Sequence, residues 1–278
     1  MSPQNAEKNT NTHKFQFNKV TDTTVLEPLK AEWRKSLTAP QDDMWETFTN
    51  YADHWHINVN TQTIGYACVN DENRLLQFYV TPEWMPEGNA IFEHFVHQQK
   101  IKKAIIGTNN PLCFSIAMHL QKSVQIHYYL FSDFLQEKVI EKEGTIKSGK
   151  IKDIEKFVDF THESTGGPKQ WLEGYLSTLI NKGGYFIFEN NGEILGAFEV
   201  RKSDTYPKTA HLGMVVSPNH RKKGLGTFLL GKAKETAREW NLQPICGCDQ
   251  DNIGSLKSIH KNGFRIVHQM MLLKFEAE

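Results

Sequence analysis

At 278 residues the chain is long enough for two domains of about 150 residues, and its 32 Lys plus Arg balance 32 Asp plus Glu. No block of like charge is long enough for a nucleic-acid arm or a membrane-binding face, so the expected partner is small or neutral. No 18 apolar residues run together, and the opening MSPQNAEKNTNT lacks the basic-then-apolar order of a signal peptide. These features lead us to expect a cytoplasmic protein with residues 1–12 as a disordered tail.

The four cysteines are too few for a disulfide framework and fall in strand-like settings, as reduced core thiols would. Cys246 and Cys248 share one side of a strand, but two ligands alone make no metal site, and no metal is expected. Charge is unevenly spread. Residues 1–136 carry 11 basic and 14 acidic side chains, residues 137–278 carry 21 and 18, so the positive excess lies in the second half.

Periodicity and turn residues predict strands over Lys14–Val20, His56–Asn60, Thr63–Asn70, Arg74–Thr81, Lys103–Gly107 and Val124–Phe131 in the first half. Helices are predicted over Thr24–Ser36, Asn89–Lys100 and Pro111–Gln121. Glu137–Lys150, rich in Lys, Glu and Gly, reads as a linker or as the opening strand of a second unit. Beyond it come helices Ile151–Glu163, Lys169–Asn181, Gly226–Trp240 and Asn252–Asn262. They interleave with strands Tyr185–Asn190, Glu193–Arg201, Thr209–Ser217, Pro244–Asp249 and Phe264–Phe275. The fold class is mixed α/β: two tandem domains, 13–136 and 137–278, each a twisted mixed sheet flanked by helices.

The halves repeat. A shift of 136 residues brings Val80 onto Val216, Pro82 onto Pro218, Gly88 onto Gly224 and Ala90 onto Gly226, and a shift of 131 brings Gly65 onto Gly196. This is a duplication at domain scale; the alternative is two unrelated α/β domains sharing a strand-turn-helix unit.

Chemistry becomes readable in LGMVVSPNHRKKGLGTFLLGKAKETAREW. An apolar strand stops at Ser217-Pro218, a basic glycine-rich turn follows, and an amphipathic helix begins. Gly224 and Gly226 let the backbone curl and approach a ligand closely. The N–H groups of Lys222 to Thr227, Leu225 among them, open a helix and can converge on an anion, with Arg221, Lys222 and Lys223 as countercharge. The pattern is no P-loop, lacking Gly-Lys-Thr/Ser, and no dinucleotide fingerprint, since Arg221 stands at the first glycine position.

This arrangement resembles the GNAT superfamily of acyl-CoA-dependent N-acyltransferases. Its Arg/Gln-x-x-Gly-x-Gly/Ala signature is met by Arg221, Gly224 and Gly226, and its Asn…Gly-Phe ending by Asn252 and Gly263-Phe264. The likeness covers about 130 residues of the second half, and the doubled layout resembles tandem members in which one copy keeps the cofactor. The resemblance implies acetyl-CoA as co-substrate and a small-molecule, amino-acid or peptide amine as acceptor. It implies that Met214, Val215 and Val216 offer backbone groups to the pantetheine arm, one N–H there facing the thioester carbonyl. As base it points to His211, where many members carry a glutamate, or to Glu199 on the neighbouring strand. Asn252 and Ser255 would contact pantetheine or phosphate, although Asn252 also suits a helix N-cap. A tyrosine that often precedes Gly-Phe by four residues is replaced by Ile259, and His260 points elsewhere on the helix.

In the first half the same turn reads PEWMPEGNA. Met85 removes the charge of Arg221, Pro86 removes a backbone donor and Glu87 places a carboxylate where a phosphate would lie, so this copy is expected not to hold CoA. Its expected work is to shape an acceptor pocket, with His54, Trp55, His56, Trp84 and Met85 as lining or as ordinary core. Three functions compete: N-acetyl transfer, a non-catalytic acyl-CoA-binding sensor or scaffold, and transfer of an aminoacyl or long-chain acyl group on the same doubled fold.

Overall fold

The strand-forming runs and capped helices of the first half appear, in the computed structural model, as a regular succession. They are β1 (Phe15–Val20), α1 (Glu27–Ser36), α2 (Asp43–Asn50), β2 (Asp53–Val59), β3 (Gln62–Val69), β4 (Arg74–Val80), α3 (Gly88–Gln98), β5 (Lys103–Gly107), α4 (Pro111–Leu120) and β6 (Ser123–Asp133). The second half gives β7 (Thr145–Ser148), α5 (Ile154–Thr165), α6 (Lys169–Asn181), β8 (Tyr185–Asn190), β9 (Glu193–Lys202), β10 (Thr209–Val216), α7 (Leu225–Glu239), β11 (Gln243–Asp249), α8 (Ile253–Lys261) and β12 (Phe264–Lys274). The structure describes residues 15–276, so the tail expected over residues 1–12 lies outside the described residues.

Local chemistry explains where this differs from expectation. Pro28 opens α1, so the preceding Thr23–Leu26 forms a separate 3-10 turn rather than the start of one long helix. The short helix α2 was not expected; Asp42 caps it by accepting from the N–H groups of Met44 (2.7 Å) and Trp45 (3.4 Å). Most of Glu137–Lys150 is irregular, with β7 as its only strand.

Contacts divide the chain into one unit of residues up to Gln125 together with Met270 onward, and a second of Ile126–Gln269. The division expected at residues 136 and 137 follows chain order, whereas packing follows an exchange of strands. β6, which closes the first half, pairs antiparallel with β11 through Gly247↔Leu130, Cys246↔Phe131 and Ile245↔Ser132. β12, which closes the second half, pairs antiparallel with β5 through Gly107↔Met270, Ile106↔Met271 and Ile105↔Leu272. The two registers correspond residue for residue.

In the first unit α3 and α4 cover a core that includes Phe17, Ile57, Phe78, Phe92, Phe95 and Leu273. The second unit buries both faces of its sheet. Phe198, Leu212, Phe228, Leu229 and Phe264 lie on the side of α7, and Phe157, Leu172, Leu176, Tyr185 and Ala197 on the side of α5 and α6. Duplication is visible in the ladders: Gly65 opposes Val80 in the first unit and Gly196 opposes Val216 in the second. A Cβ on Gly65 would meet the Tyr79 carbonyl oxygen at 2.1 Å, and one on Gly196 the equivalent Val215 oxygen at 2.9 Å. The same close approach at the same place favours one ancestral domain copied over two unrelated ones.

β6 is fastened to its adopted sheet by charge. The Asp133 side chain, 3% exposed, binds Lys234 Nζ at 2.8 Å and accepts from Arg238 Nε at 2.9 Å. Lys234 also donates to the carbonyls of Leu135 and Asn262. Asp133→Ala would leave the buried ammonium without its counter-ion, a loss of about 3–5 kcal/mol. Urea denaturation should show it as a lower midpoint; an unchanged midpoint would mean that the cluster contributes nothing to stability.

Candidate functional site

β10 pairs with β9 from Ala210↔Lys202 to Val216↔Gly196, but with its parallel neighbour β11 only from Thr209↔Gln243 to His211↔Ile245. Beyond that point β11 is paired on its other side with β6, so the two parallel strands part. One backbone edge of Leu212 to Val216 is left outside any ladder, and Met214, Val215 and Val216 lie half-buried along it. An unpaired strand edge at a split in a sheet is a place where an extended ligand can pair as a further strand.

The turn after β10 completes the opening. The Ser217 N–H closes the ladder on the Leu195 carbonyl (3.0 Å), Pro218–His220 makes a 3-10 turn, and Lys222 and Gly224 take left-handed φ values of 61° and 80°. Gly224 is the N-cap of α7, a conformation that glycine adopts without strain. The first bond of α7 runs from the Phe228 N–H to the Gly224 carbonyl at 3.2 Å. Among the described residues, the N–H groups of Lys222, Lys223, Gly224, Leu225, Gly226 and Thr227 therefore meet no protein acceptor. A Cβ on Gly226 would lie 3.4 Å from Ser258 Oγ and 3.7 Å from Val216 Cγ2, so a long side chain there would cross the opening.

Side chains predicted for this site divide by what they touch. The side chain of Leu225 is buried in the core, while Thr227 Oγ1 meets Ser258 Oγ at 3.4 Å. Arg221, expected as countercharge, spends its guanidinium on the carbonyl oxygens of Val216 (Nε, 3.3 Å) and Ser164. It fastens the turn to the strand end and to α5. Lys223 Nζ bonds the Asn219 carbonyl at 3.2 Å, and Lys222 is exposed. Asn252 is the N-cap of α8, its side chain accepting from the Ser255 N–H at 3.1 Å, which engages the Asn252 amide locally. Ile259 is core, 2% exposed, and the His260 ring meets Phe131 edge-on at 5.5 Å.

Strand alternation gathers a polar group on the α5 and α6 side of β9 and β10. Glu199 stands opposite Gly213 and Arg201 opposite His211. The Glu199 carboxylate lies over Gly213, where a Cβ would meet Oε1 at 2.7 Å. It accepts from the Tyr175 hydroxyl at 2.7 Å to each oxygen and forms an ion pair with Arg201, whose Nε lies 3.1 Å from Oε1. Trp171 stacks on Tyr175 with centroids 4.8 Å apart. Below them burial pushes the Tyr185 hydroxyl up to about 12, with the Glu199 charge adding to the shift. His211 is on the same face but only 1% exposed. Tyr175 and Ser258 were missed in the sequence, because an aromatic at helical spacing from Trp171 and a serine inside α8 read as packing.

The first unit carries the same split, β4 and β5 pairing only at Arg74↔Lys103 and Leu75↔Ala104, yet fills it. Pro82–Glu87 forms a 3-10 helix running into α3, and the N–H groups of Trp84 and Gly88 are taken by the carbonyls of Thr81 and Met85. Ile116 Cδ1 would lie 2.9 Å from a Cβ on Gly88, and Met85 lines a small apolar cavity there with Phe78, Val80 and Cys113. The five residues expected to line a pocket do not share a face: Trp55, Trp84 and Met85 pack on the α3 and α4 core, while His54 is buried on the opposite side of β2. Burial holds the His54 imidazole below its ordinary value.

Comparison with known proteins gives two family matches: an acetyltransferase (GNAT) domain over residues 22–134 and the acetyltransferase (GNAT) family over residues 152–264. No curated protein sequence gives a significant match. Among solved structures, a GNAT-family acetyltransferase from Colwellia psychrerythraea is similar at 25% identity and a TM-score of 0.90, over 94% of this chain and 100% of that one. Two others share the fold. A GCN5-related N-acetyltransferase from Sphaerobacter thermophilus is 12% identical with a TM-score of 0.66, over 95% of this chain and 96% of that one. A tandem GNAT protein from the clavulanic acid biosynthesis pathway is 14% identical with a TM-score of 0.62, over 95% and 100%. The split sheet, the glycine turn and a family match in each half lead to one conclusion: the chain belongs to the GNAT superfamily of acetyltransferases, as a member with two GNAT domains in tandem.

Proposed function

We propose that the second unit transfers acetyl from acetyl-CoA to a primary amine of a small molecule, amino acid or peptide, by direct attack while both are bound. The observation that carries this reading is the run of turn N–H groups from Lys222 to Thr227 without a protein acceptor, beside the unpaired edge of Met214 to Val216. Donors and edge fit the two parts of the co-substrate: an anionic pyrophosphate on the helix start and an amide-bearing pantetheine arm along the strand. Bound acetyl-CoA supplies an activated thioester.

The chain's residues hold that thioester, orient the amine and move a proton. As the new C–N bond forms and the C–S bond breaks, the proton lost by the nitrogen needs an acceptor, and the thiolate departs or is protonated from water. Glu199 suits this role: its carboxylate lies over Gly213, within the stretch that β11 leaves unpaired, and its side chain is 17% exposed. Tyr175 and Arg201 hold it in place. His211, buried on the same face, is given a supporting role rather than the proton itself. Ile259 favours the second reading, a sensor that binds without transfer, because the hydroxyl often present there is replaced by core packing.

Gly226→Glu should weaken acetyl-CoA binding in calorimetric titration by about a hundredfold, by sending a carboxylate into the anion site. Equal affinity in variant and parent would end the assignment of the turn. Glu199→Gln should lower kcat about 100-fold or more with the acetyl-CoA Kd nearly unchanged, and His211→Gln should lower it less. The reverse order would transfer the proton to His211, and binding without thiol release over a broad amine panel would establish the sensor.

A further inference from the structure

The segment joining β6 to β7 is laid along α7. The N–H groups of Phe134 and Leu135 donate to the Gly263 carbonyl at 3.4 and 3.3 Å. Val139 packs so closely on Gly231 that a Cβ there would meet its Cγ2 at 2.8 Å, and Glu141 pairs with Lys232 at 2.6 Å. The segment thus travels from the C-terminal end of α7, where Asp133 holds Lys234 and Arg238, towards its N-terminal end. It brings Lys142 to the glycine turn: Nζ bonds the Lys223 carbonyl at 3.3 Å and lies 3.7 Å from where a Cβ on Gly224 would stand.

Lys142 is exposed, and among the described residues no carboxylate is within ion-pair reach of it. Its neighbour Glu141 is engaged by Lys232, which is shared with Glu235 at 3.0 Å. Meanwhile the guanidinium of Arg221 is turned onto two backbone carbonyls. The turn offers donors to an anion, its motif arginine is committed elsewhere, and a lysine from the joining segment stands beside it.

We propose that Lys142 is a ligand of the pyrophosphate of the acyl-CoA, so that the segment linking the two halves of the chain forms part of the co-substrate site. This rests on the reading of the turn given above. A phosphate drawn to the N–H groups replaces the Lys223 carbonyl as the partner of the ammonium, a stronger, charge-assisted contact. An interaction at an exposed site is modest and screened by salt.

The test is calorimetric titration of the full chain with acetyl-CoA, 3′-dephospho-acetyl-CoA and S-acetylpantetheine, the last lacking both the pyrophosphate and the 3′-phosphate. Lys142→Ala should weaken acetyl-CoA and its 3′-dephospho form alike, by about fivefold at low salt, with a shallower dependence on salt than the parent. Lys142→Glu should weaken both further, Lys142→Arg should restore most of the affinity, and S-acetylpantetheine should bind parent and variants equally. A loss confined to acetyl-CoA would put Lys142 on the 3′-phosphate and overturn the assignment. An equal loss with S-acetylpantetheine would make the lysine merely structural, and parental affinity in Lys142→Ala would remove it from the site. A parent that binds none of the three ligands would instead sink the reading of the turn itself.

Discussion

The open strand edge of the second unit depends on β10 and β11 ceasing to pair after His211↔Ile245. Two parallel strands that stay together satisfy each other's backbone; two that part leave N–H and C=O groups facing a gap, and such groups are costly unless something binds them. β11 solves its side of the problem with β6, through Ile245↔Ser132 to Asp249↔Tyr128. β10 retains an edge outside any ladder, on which Arg221 takes the Val216 carbonyl. The turn that follows adds donors in the same region, because a left-handed Gly224 starts α7 before any carbonyl is available to its first N–H groups.

The first unit carries the same split with a different lining. At positions corresponding by register, Glu199 against Gly213 in one unit becomes Cys68 against Gln77 in the other. Gln77 accepts from the Tyr66 hydroxyl at 3.2 Å, and burial pushes the Cys68 thiol up to about 12, so a carboxylate over an open glycine has been replaced by a satisfied amide and an inert thiol. At the helix start, Ile116 crowds Gly88 in the first unit, with Cδ1 2.9 Å from where a Cβ would stand, whereas nothing but the Lys142 side chain comes within 4 Å of a Cβ on Gly224 in the second. Each change exchanges a vacancy for packing, which stabilises a core and removes a place for an anion.

Strand and helix periodicity made most elements legible, and Gly224, whose left-handed φ few other residues tolerate, located the turn together with Ser217-Pro218 and Gly226. Position along the chain revealed less about partners. Arg221 looked like a phosphate ligand since its charge is adjacent in sequence, but its long side chain reaches back to Val216 and Ser164. Tyr175 and Lys142 were unreadable for the opposite reason: Tyr175 is 24 residues from Glu199 and Lys142 is 81 from Lys223, and only the folded path of α6 and of the joining segment brings them together. His211 had the right spacing before Val216, yet spacing along a strand says nothing about what covers it.

The exchange of β6 and β12 was invisible in sequence because both strands carry the right pattern for either sheet; pairing depends on register and on what lies at their ends. Asp133 is the asymmetry in the second unit, an acid at the end of β6 where Lys234 and Arg238 of α7 await it. A domain cut at residue 136 would keep those two cations, lose their carboxylate and open the edge of β11. The duplication therefore did not leave two independent enzymes in series. It left a second unit whose outer strand, and whose strap to the glycine turn, both begin in the residues immediately upstream, so the fold of the second unit depends on chain that precedes it.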